Sequence, residues 1–150
     1  MPPSSERAVE STPEQTVRDF IGAFRDSWPA DFDVALAPLA EDASYQIVVP
    51  TIAPIEGRAA IQRELERMRE KVRDQRHTLK AVAASGNTVF TERIDESLRH
   101  GEWVAIPLVA VFELNDAGQI VRWREYLDLA HVAKNHGMTV DALCATLAPT

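Results

Sequence analysis

From residue 12 onward, apolar positions recur at helical spacing. Val17, Phe20, Ile21, Phe24 and Trp28 fall on one face. Thr12 can cap this segment, Pro13 suits the first helical position, and Gln15 stands three residues after Thr12. The pattern predicts an amphipathic helix ended by Pro29. A shorter helix is expected from Asp31 or Asp33 toward Leu39, weakened by Pro38. Residues 44–49 read as a strand, and Pro50 and Pro54 make the next stretch a rigid, irregular loop. After Gly57, a third helix is expected over 58–74, with a narrow stripe of Ile61, Leu65, Met68 and Val72. Its other positions are mostly charged, with opposite charges three apart (Arg63/Glu66, Glu70/Arg73), as on a solvated helix face.

The remainder is mostly strand. Residues 78–84, 88–98, 102–114 and 119–129 are separated by Ser85-Gly86-Asn87, Arg99-His100-Gly101 and Asn115-Asp116-Ala117-Gly118. Such spacing predicts a meander of long antiparallel strands. The C-terminus reads as short helices broken at Gly137. Helices segregated from an antiparallel sheet define an α+β class. A bent sheet wrapped around packed helices leaves an apolar internal pocket, a natural small-molecule site.

Composition narrows the function classes. With 150 residues, 45% hydrophobic and 26% charged, the chain suits one globular domain over 12–150. The Pro, Ser and Glu content of residues 1–11 predicts a disordered tail without the apolar stretch of a signal peptide. A net charge of −7 disfavours nucleic acid as a partner. The longest apolar run, Trp103 to Phe112, is interrupted by Pro107 and is half of the roughly 20 residues a membrane helix needs. The single Cys144 excludes an internal disulfide and a multi-cysteine zinc site, and fits a cytoplasmic location. The histidines, His77, His100, His131 and His136, fall in turns and element ends without metal-ligand spacing. There is no phosphate-binding glycine loop and no nucleophile elbow, so no cofactor is expected.

Polar residues inside the predicted strands are the chemical candidates. Alternation puts Thr91, Arg93, Asp95 and Ser97 on one face, and Phe90, Glu92, Ile94, Glu96 and Leu98 on the other. Glu125 shares a face with Trp123, Leu127 and Leu129 and is the one carboxylate among apolar side chains. A carboxylate in such surroundings has a raised pKa unless a cation is near, and Arg93 could be that cation. Tyr45 and Ile47 share a face of the first strand, and a phenol in a pocket is a donor or water-positioner. The same residues could equally form a structural ion-pair network, with Tyr45 an ordinary core residue. Ile47, Ile106, Leu108 and Trp123 read either as core or as pocket wall lining a substrate site.

Tyr45-Gln46, Thr91-Glu92-Arg93-Ile94-Asp95, Val111-Phe112-Glu113-Leu114 and Trp123-Arg124-Glu125-Tyr126-Leu127-Asp128-Leu129 together resemble the limonene-1,2-epoxide hydrolase family. The resemblance runs from about Thr12 to Leu129. It implies the cone-shaped NTF2-like (SnoaL-like) fold and a homodimer. It also implies a metal-free hydrolase in which two carboxylates bridged by an arginine open an epoxide with water. Carried over by motif, Arg93 is the bridge, Asp95 the acid, Tyr45 a water ligand and Glu125 the base.

Two positions depart from the family. Glu125 stands where Asp is usual, and its extra methylene moves the oxygens by about an ångström, a scale that can cost ~10²-fold in rate. Ile47 stands where a water-holding Asn is usual. The scaffold therefore remains open to proton-transfer chemistry (isomerase, lyase or cyclase) and to non-catalytic binding of a small apolar ligand. Phe90, Ile94 and Leu98 on the outer sheet face could supply the dimer contact.

Overall fold

The structure is a computed structural model that describes residues 11–27 and 31–147. The expected tail through residue 10, and the placement of Trp28 and Pro29, lie outside the described residues. Helix α1 spans Pro13–Ser27, and Thr12 caps it by accepting the Gln15 N–H at 3.1 Å. Its apolar stripe buries Val17, Phe20 and Ile21. Helix α2 covers only Phe32–Leu36, opened by Asp31, whose carboxylate accepts the Val34 N–H. The chain leaves it early because strand β1, Leu39–Gln46, begins five residues before the strand expected at 44. Leu39, Ala40 and Ala43 are buried while Glu41 and Asp42 are exposed, and the register against its neighbour shifts between Leu39 and Ser44. This irregularity breaks the period-2 pattern that would have marked the strand. The two-residue strand β2, Ile55–Glu56, interrupts the proline-rich loop.

Helix α3 spans Arg58–Arg69 and buries Ile61 and Leu65. It stops five residues short of the expected end, because Val72 turns into the interior and the Arg73 N–H bonds the Leu98 carbonyl at 3.0 Å. Strand β3 therefore starts at Asp74 rather than 78, running Asp74–Ser85. It is followed by β4, Thr88–Arg99, β5, Glu102–Leu114, and β6, Ile120–Leu127. The β4–β5 turn places both His100 (φ 50°) and Gly101 (φ 80°) in the left-handed region that a two-residue hairpin loop demands. Strand β6 ends two residues before the expected 129, where Asp128 caps helix α4, Leu129–Asn135, by accepting the His131 N–H. Helix α5, Val140–Leu147, follows Gly137.

The six strands form one mixed sheet in the order β2-β1-β6-β5-β4-β3. Strands β3 to β6 are the expected antiparallel meander, whereas β1 pairs parallel to β6. Helices pack on one face of this sheet in an α+β arrangement. Phe20 of α1 meets Trp123 of β6 edge-on at 5.2 Å and Phe112 of β5 at 6.0 Å, which fixes the helix against the sheet. Buried Glu64 pairs with Arg67 at 2.7 Å, and Arg67 also donates to the Thr146 carbonyl, tying α5 to α3. No helix among the described residues is long and apolar enough to cross a membrane.

Candidate active site

The inner faces of four strands carry the polar groups toward one cavity of about 610 Å³. Strand register decides which groups meet. In one cross-strand row His77, Asp95 and Ile106 stand side by side; in another, Arg93 and Leu108. Thr91, Ala110 and Glu125 form a third row, and Phe112 and Trp123 lead to Tyr45 through the parallel β6–β1 pairing. Arg93 and Glu125 are thus separated by a whole strand. The small Ala110 between Thr91 and Glu125 leaves the guanidinium room to cross it.

The four residues expected to carry chemistry converge. Arg93 is buried, at 4% exposure, and donates from Nε and Nη2 to Asp95 at 2.8 and 3.2 Å. Its Nη2 also donates to Glu125 Oε2, and its Nη1 to Thr91 Oγ1 at 3.2 Å. The Tyr45 hydroxyl donates to Glu125 Oε1. The Tyr45 ring stacks on Trp123 with centroids 3.7 Å apart, which fixes the phenol. Ile47, Ile106, Leu108 and Trp123 all line the cavity, so the apolar residues picked out in the sequence form its wall.

The two carboxylates occupy different environments. Burial pushes Glu125 up and the Arg93 charge pulls it down; with Asp95 also pushing up, the net direction is upward. Burial pushes Asp95 up as well, but the hydrogen bond to His77 and the Arg93 charge outweigh it and hold the carboxyl below its usual value. Asp95 keeps 22% side-chain exposure, against 8% for Glu125. Burial opposes the Arg93 charge, yet Glu125 and then Asp95 overcome it, so the guanidinium holds its proton more firmly than usual. Burial, then the neighbouring Glu125, drives the Tyr45 phenol well above its ordinary value.

One member of the cluster was misplaced by the sequence reading. His77 is not in a turn: it lies within β3, opposite Asp95, with its Nδ1 2.8 Å from Asp95 Oδ1. The signal was the inward alternation Gln75, His77, Leu79, hidden when the strand is started at 78. His100 and His136 also line the cavity, while His131 is exposed and contacts Asn135. Among the described residues, three buried side-chain nitrogens have no hydrogen-bond partner: Gln75 Nε2, His77 Nε2 and Trp123 Nε1. All three residues line this one cavity.

Comparison with known proteins agrees with the geometry. The sequence model of the limonene-1,2-epoxide hydrolase catalytic domain matches residues 11–137. No curated protein matches the sequence significantly. Among solved structures, an epoxide hydrolase of the same type from M. tuberculosis is similar at 28% identity and TM-score 0.70, covering 92% of this chain and 96% of that one. An NTF2-like protein of unknown function from Burkholderia pseudomallei aligns with TM-score 0.72 at 18% identity, over 83% of this chain and 96% of that one. A protein with a ketosteroid-isomerase-like fold from Catenulispora acidiphila, solved with trimethylamine, aligns with TM-score 0.68 at 18% identity over 82% and 95%. These two share the NTF2-like fold with this chain.

Proposed function

We propose that this chain, which belongs to the limonene-1,2-epoxide hydrolase family, opens the epoxide ring of a small, mostly apolar substrate by acid- and base-assisted attack of water. The observation that carries the reading is Arg93, bridging Asp95 and Glu125 at the wall of a mostly apolar cavity. Two carboxylates on one cation in unlike surroundings do not hold protons equally, which separates an acid from a base. The family resemblance carries the acid role to Asp95 and the base role to Glu125. Glu125 accepts from both the Tyr45 hydroxyl and Arg93, which suits a base with the phenol beside it to hold the attacking water. Asp95, on the other side of Arg93, is placed to serve the ring oxygen.

Product diol is the readout, with small apolar epoxides such as cyclohexene oxide and styrene oxide as substrates. The wild-type protein is expected to form it, and Glu125→Gln and Asp95→Asn each to lose about 10²–10⁴-fold in kcat, the usual contribution of a general acid or base. Full activity in either variant refutes the assignment. A second reading, proton transfer by an isomerase, lyase or cyclase, is favoured by Ile47 and by the Tyr45 hydroxyl already bonded to Glu125. It predicts isomerised product and no diol. If neither carboxylate variant alters any turnover, a non-catalytic ligand-binding domain is the remaining reading. The same proposal takes a homodimer through the outer sheet face, where Phe90, Val109 and Tyr126 are exposed. Sedimentation of Tyr126→Glu as monomer, against a wild-type dimer, is the expected result.

A further inference from the structure

We propose that the far end of this cavity is a carboxylate subsite built on Arg99, so that the substrate is an apolar chain with an epoxide toward one end and a carboxylate at the other. The inference rests on the hydrolase reading above for the epoxide, whereas the anion subsite stands on its own geometry. Arg93, Asp95, Ser97 and Arg99 alternate onto one face of β4, and all four line the cavity. Arg93 is held by Asp95 and Glu125. Arg99 stands at the other end of the row, beside the β4–β5 turn. Its Nε donates to Ser97 Oγ at 3.3 Å, which turns the guanidinium back along the strand. Among the described residues neither Nη nitrogen has a partner, and no carboxylate lies within 4.0 Å of the group.

Arg99 is unlike the other arginines withdrawn from solvent. Arg67 pairs with Glu64, Arg93 with Asp95 and Glu125, and Arg124 with Glu113, while Arg58 donates to the Leu39 carbonyl. Arg99 is half-buried, and burial lowers its guanidinium below the usual value with no carboxylate to raise it back. A cation withdrawn from water without a counter-ion is a cost to the fold that a bound anion would offset. The two free Nη groups form the fork that grips a carboxylate through two parallel hydrogen bonds. Gln75 stands opposite Ser97, in the row toward which Arg99 turns, and its buried Nε2 is a further donor without a partner.

The charge balance suits a monoanion. The Arg73 N–H bonds the Leu98 carbonyl, which brings Lys71, also lining the cavity, to the same end. Glu102 stands opposite Arg99 but is exposed and does not pair with it, and Glu96 is engaged by Arg76. With Lys71 set against Glu102, the Arg99 charge remains, on a chain whose net charge is −7. Between the two ends Val104, Ile106, Leu129 and Met138 supply an apolar wall. The four to six residues of strand from Arg93 to the Arg99 group cover about 13–20 Å. A saturated chain gains a little over an ångström per carbon, so a chain of about ten carbons spans the gap.

Two measurements test this. First, 10,11-epoxyundecanoic acid and its methyl ester differ in the charge at the end remote from the ring. Wild type is expected to show a KM at least tenfold lower for the acid, the scale of a charge-assisted pair. Arg99→Gln should bring the two KM values together, and Arg99→Lys should keep part of the difference. Equal KM values in wild type, or an unchanged ratio in Arg99→Gln, overturn the subsite and leave hydrolysis standing. Second, isothermal titration calorimetry with decanoate, which carries no epoxide, reads the subsite without turnover. Decanoate is expected to bind wild type and to lose at least tenfold in affinity in Arg99→Gln. No binding to wild type, or equal binding to both proteins, overturns the inference. If no epoxide is opened but decanoate binding depends on Arg99, the hydrolase reading falls and the carboxylate subsite stands.

Discussion

Replacing Arg93 by Met removes the cation while keeping much of the apolar stem that packs in the wall. The side chain is 4% exposed and touches Asp95, Glu125 and Thr91, so nothing else replaces its donors. Removing one partner from a buried ion pair costs about 3–5 kcal/mol. For a domain of this length each kcal/mol moves Tm by about 2–4 °C, so Tm should fall by about 6–20 °C at neutral pH. The loss must depend on pH. Without Arg93 the folded-state pKa of both carboxyls rises, and that of Glu125, already above the unfolded value, rises further. Stability is then greatest below the unfolded value and declines as pH rises through the new folded one. Thermal unfolding followed by circular dichroism at pH 4.5 and 7.5 should therefore show the smaller deficit at pH 4.5. The double variant Arg93→Met/Glu125→Gln should be more stable than the two single losses added together, by about 0.5–3 kcal/mol. A Tm change under 2 °C, or an equal deficit at both pH values, refutes a buried charge bridge.

Glu125→Gln and Asp95→Asn should reshape the pH profile of stability in opposite ways. Asp95, held low, contributes stability above its unfolded value that is lost as pH falls through the folded one, so Asp95→Asn should flatten the acid limb of a Tm–pH curve. Glu125, held high, contributes stability below its unfolded value that is lost as pH rises through the folded one, so Glu125→Gln should flatten the decline above it. Unchanged limbs in both variants contradict the assigned directions. Ala110→Leu should part Arg93 from Glu125, costing about 1–3 kcal/mol by overpacking and more than tenfold in kcat; wild-type kcat would show that the crossing at Ala110 is not needed. Ile47→Asn, which restores the family's usual residue, should destabilise by about 1–3 kcal/mol through a buried amide and leave kcat within a few-fold. A tenfold gain in diol formation would show that the chain's natural chemistry is not epoxide hydrolysis.

What the sequence revealed and what it hid divide along physical lines. The inner face of β4 was legible because Thr91, Arg93 and Asp95 alternate with outward residues over a long regular strand. Glu125 stood out for the same reason, among Trp123 and Leu127. Pairing between distant segments was not legible. The parallel match of Tyr45 with Trp123, which brings the phenol to Glu125, depends on β1 crossing from the other end of the chain. The register shift in β1 also erased its alternation, so its start at Leu39 went unread. His77 was missed because no local breaker marks the end of α3. Val72 and Arg73 turn the chain through burial and a bond to Leu98, both tertiary effects. Starting β3 four residues late concealed that His77 faces the same way as Leu79 and opposite Asp95.

The central claim is that this cavity adds water across an epoxide with Glu125 and Asp95, bridged by Arg93, as its acid–base pair. The direct test is turnover of a small apolar epoxide in oxygen-18 water, with product diol analysed by mass spectrometry for wild type and Glu125→Gln. The account predicts diol carrying one labelled oxygen from the wild-type protein, and a rate at least 10²-fold lower in the variant. An unlabelled isomer in place of diol, or labelled diol formed equally fast by Glu125→Gln, would contradict it.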